Sequence, residues 1–167
     1  EIKKALLGKY NFTQIFIGEG SAPETSEVQS LVNQTTTFQV EKNAFQRISR
    51  RSGSEKILAV AETKSHELEH LNLSDQALIL VVEAPEKPGN IGALYRTAAA
   101  AKMDAVIIAN PKTDFYNPNS IRSSLGSIFL LPSALASSSE VISYLNKKSF
   151  SIVTAALEPD AIPYNQY

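Results

Sequence analysis

The stretch that decides the fold is EAPEKPGNIGALYRTAA, residues 83–99. It follows the apolar, branched run ALILVV at residues 77–82, which is too short for a helix and is typical of a buried strand. The prolines and glycine of PEKPG end that strand, and Asn90 is a candidate cap for a helix predicted over residues 91–102. A strand, a tight turn and a helix N-terminus together suit an anionic or nucleotide-like ligand.

Arg96 is the one charged side chain in the first two turns of this predicted helix. Gly92 is four residues earlier, on the same helical face, and helical side chains lean toward the N-terminus. Arg96 can therefore pass over Gly92 and bring its guanidinium to the carboxyl end of the strand. Alternatively, Gly92 only allows close packing of the helix on a sheet, and Arg96 is solvated. The spacing leaves both alternatives open, and without GxGxxG a dinucleotide site is a weak hypothesis.

Two segments carry a resemblance to a known family. PGNIGALYRTA at residues 88–98 resembles the first motif of the SpoU/TrmH branch of the SPOUT RNA methyltransferases. SIRSSLGSIFLLP at residues 120–132 resembles the second motif, in the family's order and also behind a strand-like run. By this resemblance the chain is identified as a SpoU/TrmH-type RNA 2′-O-ribose methyltransferase.

The resemblance and the alternation of strand-like and helix-like runs both predict an α/β fold. Residues 1–74 are expected to form a small N-terminal α/β domain that binds substrate RNA, followed by a linker. Residues 75–167 are expected to form a parallel-sheet SPOUT methyltransferase domain, with FSIVTAAL at residues 150–157 as a strand. The family's C-terminal segment threads into a deep knot, and it is expected to be missing because no glycine–glutamate loop precedes Tyr167. We therefore expect a longer natural protein, cut at both ends.

In the family, a ribose 2′-hydroxyl attacks the methyl group of S-adenosyl-L-methionine. The resemblance implies that Arg96 is catalytic and that Asn90 positions Arg96 or the ribose. Arginine is nearly always protonated, so we favour a role in which Arg96 holds an RNA phosphate and stabilises the developing alkoxide. Transient deprotonation of Arg96 in a dry site is the alternative.

The resemblance also implies where the cofactor binds. Its adenosine is expected between a strand end and the backbone of the second motif, and a homodimer is expected through the catalytic domain. Without the third motif, the chain is expected to hold only part of this site. The implied cofactor-binding residues are Thr154, Ala155, Leu157, Ile128 and Leu130.

The densest basic cluster lies in residues 47–56, with serines and a glycine between its cations. A cationic loop of small residues suits RNA phosphates, although an ordinary solvated loop is the alternative. The family resemblance favours RNA and adds two candidates from the second motif. The predicted RNA-binding residues are Arg47, Arg50, Arg51, Lys56, Arg122 and Ser124.

HELEH at residues 66–70 matches HExxH, which in zinc proteases places two histidines on one helical face. These are the only two histidines in the chain, and the segment is short and acidic. It also lacks the apolar periodicity of a buried metal helix. A solvated linker turn is therefore the favoured interpretation, and no metal site is expected.

Composition narrows the classes of function. The chain has 167 residues, a formal net charge of −1 and no cysteine. These values exclude disulfides, thiolate metal sites and a cysteine nucleophile, and any RNA footprint must be local. No run of residues is long enough to span a membrane. The expected partner is RNA rather than DNA or a membrane, because a 2′-hydroxyl is the target. A cytoplasmic location and ribosomal RNA are favoured.

Three alternatives stay open. A transfer RNA ribose methyltransferase differs only in substrate. A non-catalytic RNA-binding module that keeps the fold is supported by the absent third motif. A nucleotide-binding α/β enzyme of another class is disfavoured, because neither GxGxxG nor GxxxxGK[ST] occurs.

Overall fold

The computed structural model describes residues 1–49, 55–156, 159, 161–163 and 166. Within these residues, the strands form two three-stranded sheets that follow one another along the chain. None of the helices in these ranges is long and apolar enough to cross a membrane.

The first sheet has β1 (Phe12–Gly18) at its centre. β1 pairs in parallel with β2 (Thr36–Val40) and antiparallel with β3 (Ile57–Ala61). Ile15 and Ile17 of β1 are buried, and the ring of Phe45 packs close to Gly18. The helices of this half are α1 (Ile2–Leu7), α2 (Ser26–Gln34) and α3 (Lys42–Ile48).

The second sheet consists of β4 (Ile79–Glu83), β5 (Ala105–Ala109) and β6 (Ser133–Ala136). All three strands are parallel, with β5 in the middle, so the predicted parallel α/β arrangement is confirmed. Helices follow the strands in turn: α4 (Pro88–Ala100), α5 (Pro118–Ser123) and α6 (Ser138–Lys147).

β5 is buried along its whole length, and its side chains alternate between two cores. One core lies under α6, and the other lies under α4. A strand covered on both faces reads as a continuous apolar run, as AVIIA does. The first core holds Ala105, Ile107 and Ala109 with Leu68, Leu71, Ala134, Val141 and Leu145, and the second holds Val106 and Ile108 with Ile91, Tyr95, Ala98, Phe115 and Ile128.

The segment between the two sheets is not the solvated turn that its acidity suggests. It contains a 3₁₀ turn at Leu68–His70, and Leu68 and Leu71 are buried in the core under α6. The main-chain N–H of Leu135 donates to the carbonyl of His66 at 2.8 Å, so the segment also covers the outer edge of β6. The solvated-linker interpretation is therefore wrong, because the burial of two leucines outweighs the charge of their neighbours.

α4 begins earlier than predicted. Lys87 is the N-cap residue, and Pro88 occupies the first turn. Proline is favoured there because its missing N–H would be unpaired in any case and its φ is already helical. Asn90 therefore lies inside the first turn, and its predicted role as the cap is wrong.

The strand predicted over residues 150–157 is not formed in the described part of that range. Residues 151–156 have no regular structure and join neither sheet, and Leu157 lies outside the described residues. Ile152 and Val153 are 48% and 62% exposed. Strand propensity measures how well a residue fits a half-buried pleated surface, and these residues have no such surface around them.

Gly92 is the point at which α4 meets α5. A Cβ at Gly92 would lie 2.0 Å from Oγ of Ser123, 2.4 Å from the carbonyl oxygen of Ser120 and 2.6 Å from the main-chain nitrogen of Ser124. Two of these three atoms belong to the backbone and cannot rotate away. Close packing is therefore one reason for glycine here, and the partner is a helix rather than the sheet.

We predict that Gly92→Ala lowers the free energy of unfolding by about 1–3 kcal/mol, the usual cost of overpacking. Urea denaturation measures this change. The matched control is Gly89→Ala in the same helix, because nothing lies within 4 Å of a Cβ there. Alanine should stabilise that position by up to about 1 kcal/mol. Equal stability of the two variants would contradict the α4–α5 contact.

Candidate functional site

Arg96 lies on the exposed surface of α4, beside the C-terminal end of α5. Its Nη1 donates to the carbonyl oxygen of Ser123 at 3.5 Å, the long end of the hydrogen-bond range. Gly92, on the same face, lets α5 come close enough for this contact. Because the bond is long and the side chain is exposed, an incoming anion can replace it at small cost.

Asn90 is exposed in the first turn of α4, but it does not share a face with Arg96. Six residues along an α-helix correspond to a rotation of about 240°, so the two side chains leave the helix in different directions. The helix alone therefore does not hold Asn90 against Arg96. A ligand that contacts both residues has to span about 120° of the helix surface.

The two RNA-binding candidates of the second motif differ in accessibility. Arg122 is half-buried, and its Nη2 donates to Oδ1 of Asn119 at 2.8 Å. Ser124 is fully buried, and its hydroxyl donates to the carbonyl of Ile121 at 2.6 Å and accepts from the N–H of Gly126 at 3.0 Å. The Ser124 hydroxyl is thus used by the turn after α5, whereas Arg122 stays partly open to solvent.

The residues expected to hold the cofactor are spread over separate elements. Ile128 is buried in the core under α4, and Leu130 is 44% exposed just before β6. Thr154 and Ala155 are exposed and lie outside any strand, and Leu157 lies outside the described residues. Within the described residues, no strand holds Thr154 and Ala155 beside the second motif.

The basic cluster is described only in part, because Arg50 and Arg51 lie outside the described residues. Arg47 is exposed in the last turn of α3. Lys56, just before β3, forms an ion pair with Glu24 at 2.9 Å, and this contact lowers the pKa of Glu24. Both partners are exposed, and such surface pairs are weak, so a phosphate can compete with Glu24 for Lys56.

Three polar side chains that the sequence did not reveal meet at the carboxyl ends of the second sheet. Nδ2 of Asn110 donates to Oε1 of Glu83 and lies near Oγ of Ser138, both at 2.8 Å. The Ser138 hydroxyl also donates to the Glu83 carboxylate. This hydrogen bond has the largest effect in lowering the pKa of Glu83, and the bond from Asn110 adds to it. Glu83 is therefore ionised at neutral pH. The signal in the sequence is that Glu83 and Asn110 are the first polar residues after two buried strands.

His66 belongs to a hydrogen-bond network whose proton positions can be assigned. Its Nδ1 is 3.1 Å from the carbonyl of Ser133, which can only accept, so Nδ1 carries the proton. Nε2 then accepts from the Tyr116 hydroxyl at 2.7 Å. The Tyr116 oxygen accepts from the Tyr10 hydroxyl at 3.0 Å and from the N–H of Lys64 at 3.2 Å. This uses the full capacity of the hydroxyl and ties the end of α1 to the loop after β5.

The histidines of HELEH do not share a site. Both ring nitrogens of His66 are engaged by Tyr116 and Ser133, while Nδ1 of His70 lies 3.1 Å from Oγ of Ser65. Only residues 68–70 are helical, and they form a 3₁₀ turn. In the described ranges, no three histidine or carboxylate side chains are grouped as a metal site would require.

The second half of the chain, which contains the parallel sheet and Arg96, matches a known protein family. The model of the SpoU rRNA Methylase family matches residues 77–167, more than half of the chain, including all three strands of the second sheet and Arg96. The chain belongs to this family, and the SpoU/TrmH resemblance is confirmed.

Individual relatives extend the match. Over 93 residues the chain is 33% identical to the 23S rRNA (uridine(2479)-2′-O)-methyltransferase of Streptomyces viridochromogenes. These 93 residues are 55% of this chain and 32% of that protein. A solved RNA 2′-O ribose methyltransferase is 32% identical, with a TM-score of 0.71 over 89% of this chain and 57% of that one. The SpoU methyltransferase AviRb of Streptomyces viridochromogenes, solved with AdoMet, shares the fold with a TM-score of 0.75 at 23% identity, over 89% of this chain and 56% of its own. The chain therefore spans 32–57% of the length of these relatives.

The His66 network predicts a pH-dependent stability. Burial lowers the pKa of His66 below its ordinary value of 6.5, so the unfolded chain binds this proton more readily than the folded chain. The contribution of neutral, buried His66 to the free energy of unfolding is therefore complete above pH 6.5 and is lost as the pH falls through the pKa of His66 in the folded chain. We expect His66→Gln to flatten the decline in the free energy of unfolding between about pH 7 and pH 5.

The measurement is urea denaturation at a series of pH values, and exposed His70→Gln is the control that should keep the wild-type slope. A wild-type slope in His66→Gln would show that His66 is not buried in its neutral form.

Proposed function

We propose that the protein containing this chain transfers a methyl group from S-adenosyl-L-methionine to a ribose 2′-hydroxyl of ribosomal RNA. The observation that carries the proposal is the family match over residues 77–167 together with the position of Arg96, exposed on α4 beside the end of α5. The relative that is 33% identical over 93 residues is named as a 23S rRNA 2′-O-methyltransferase, which supports ribosomal RNA as the substrate.

Arg96 is proposed to act as a fixed cation rather than as a base. Its guanidinium stays protonated at neutral pH, so it cannot readily take the ribose proton. It can form two parallel hydrogen bonds to a phosphate and stabilise negative charge that develops on the attacking oxygen. The long contact to the Ser123 carbonyl uses one N–H of the guanidinium. Its other N–H groups are therefore the candidates for binding a phosphate. Asn90 is proposed to contact the ligand at the N-terminal turn of α4.

The described residues fit the cationic end of the methyl donor. Ligands of open α/β sheets bind at the carboxyl ends of the strands, where Glu83 is held ionised by Ser138 and Asn110. An ionised carboxylate there attracts the ammonium and sulfonium groups of S-adenosyl-L-methionine, which supplies the electrophilic methyl group when bound. Contacts to the adenosine by Thr154, Ala155, Leu157, Ile128 and Leu130 are proposed from the family resemblance.

The proposal extends to the rest of the molecule. Residues 1–74 are proposed to bind the RNA, with Arg47, Arg50, Arg51 and Lys56 on phosphates. Residues 75–167 are proposed to belong to a catalytic domain that a C-terminal knot segment completes and that pairs into a homodimer. A cytoplasmic location, as for an enzyme that acts on ribosomal RNA, is part of the same proposal.

Arg96→Ala in the full-length protein should lower the turnover number for methyl transfer by about 100-fold or more, the usual cost of removing a charge-stabilising donor. Cofactor affinity, measured by calorimetry, should stay within twofold of the wild-type value, a margin of about 0.4 kcal/mol. Lys147→Ala on α6, an exposed charge on the other side of the sheet, is the control.

Wild-type turnover in Arg96→Ala would remove this residue from the mechanism. RNA binding without any turnover by the wild-type protein would instead favour the non-catalytic module.

The double variant Arg47→Ala/Lys56→Ala should weaken RNA binding and make its salt dependence shallower. The slope of log K against log salt should fall by roughly 0.7–0.9 for each phosphate that the variant no longer neutralises. Filter binding at several salt concentrations measures this slope, with Lys147→Ala/Lys148→Ala as a charge-matched control. An unaltered slope would contradict RNA binding by this cluster and favour the alternative of an ordinary solvated loop.

A further inference from the structure

A cleft of about 740 Å³ separates residues 63–67 from the loop at residues 111–116. Residues 63–67 follow β3 in the chain, and residues 111–116 follow the carboxyl end of β5. Neither Arg96 nor the described cations of the basic cluster, Arg47 and Lys56, line this cleft, whereas His66 and Tyr116 of the hydrogen-bond network do.

Aromatic rings line part of the cleft. His66 and Tyr116 are both half-buried, with ring centroids 5.4 Å apart, and buried Phe115 supports His66 at 4.3 Å. Thr63, Ser65 and Thr113 also line the cleft, and threonine and serine hydroxyls can donate and accept hydrogen bonds, although that of Ser65 already lies 3.1 Å from Nδ1 of His70. Flat surfaces beside adaptable polar groups are the features that recognise unpaired RNA bases.

The aromatic wall is held in place before any ligand binds. The Tyr116 hydroxyl is held by His66, Tyr10 and Lys64, and its main-chain N–H donates to Oδ1 of Asp114 at 3.0 Å. Binding therefore does not have to order this side chain, which removes one of the usual entropic costs of association.

The charges of the cleft favour a base over a phosphate. Lys64 and Glu67 lie in one of the two lining segments, and Lys112 and Asp114 lie in the other, so the formal charges cancel. The ammonium of Lys64 is already bonded to the carbonyl of Gly8 and lies 4.5 Å from the centroid of the Tyr10 ring. A site without net positive charge gains little from a phosphate but can stack and hydrogen-bond a nucleobase.

The position of the cleft suits RNA that is held by the first sheet. Lys56 directly precedes β3 and Thr63 follows it by two residues, so Lys56 and the cleft lie at opposite ends of one strand. Seven residues of extended chain span at most roughly 20–25 Å. We propose that the cleft binds one unpaired nucleobase of the substrate RNA, outside the nucleotide that is methylated. This proposal rests on the proposed function, because it takes RNA as the substrate.

Photo-crosslinking tests the contact directly. Full-length protein with Thr113→p-benzoyl-L-phenylalanine is irradiated with purified 23S ribosomal RNA. The matched control is Ser143→p-benzoyl-L-phenylalanine, an exposed serine on α6 outside the proposed RNA-binding half. We expect at least tenfold more crosslinking at Thr113 than at Ser143, mapped to unpaired nucleotides. Equal yields, or crosslinks confined to duplex RNA, overturn the proposal.

A variant that fills the cleft distinguishes a bound nucleobase from a bound phosphate. Ser65→Leu/Thr113→Leu places aliphatic side chains that cannot stack, and it should weaken RNA affinity about tenfold with an unchanged salt slope. Ser143→Leu, on the exposed surface of α6, should leave both values unchanged. A shallower slope in the double variant would show that a phosphate is bound there and would overturn the proposal.

The outcomes separate the two proposals. RNA binding and methyl transfer without a crosslink at Thr113 overturn the cleft alone. Failure of the wild-type protein to bind ribosomal RNA overturns both the cleft and the proposed function.

Discussion

The burial of β5 on both faces is the constraint on which the second half of the molecule depends. Each of its two isoleucines contributes about 1.5–3 kcal/mol only if a layer covers its side of the sheet. That requirement places α6 and the connecting segment on one face and α4 on the other. Because all three strands run in parallel, their carboxyl ends then meet at one edge, where Glu83, Asn110 and Ser138 are joined.

The contact between α4 and α5 links this packing to the candidate catalytic residue. Gly92 allows the α5 backbone to approach so closely that the Ser123 carbonyl comes within reach of Arg96. The position of the guanidinium is therefore set by helix–helix packing as well as by its own helix. Of the two explanations for the spacing of Gly92 and Arg96, close packing is observed directly. The space over Gly92 is filled by α5, so Arg96 does not pass over Gly92 as the first explanation required, and its guanidinium contacts the Ser123 carbonyl at the end of α5.

The parts of the fold that could be predicted are those with a strong local signal. β4, β5 and the body of α4 come from apolar runs bounded by proline, glycine or polar residues. β6 could not be predicted because SALA contains mostly small residues and lacks β-branched ones, and its strand state depends on pairing with β5. Residues 150–157 show the reverse case, since their strand propensity is high but the described part has no strand partner. Local propensity therefore predicts strands only where the surrounding structure supplies a surface.

The same limit applies to the candidate site. The spacing of Gly92 and Arg96 is visible within one helix, whereas Glu83 and Ser138 are joined only through the register of three parallel strands. HELEH is the clearest example. As a helix it would bring its two histidines to one face, but here the burial of Leu68 and Leu71 draws the segment onto the second sheet. His66 then completes a hydrogen-bond network with Tyr116, so the chemistry of a short motif follows from the backbone that presents it.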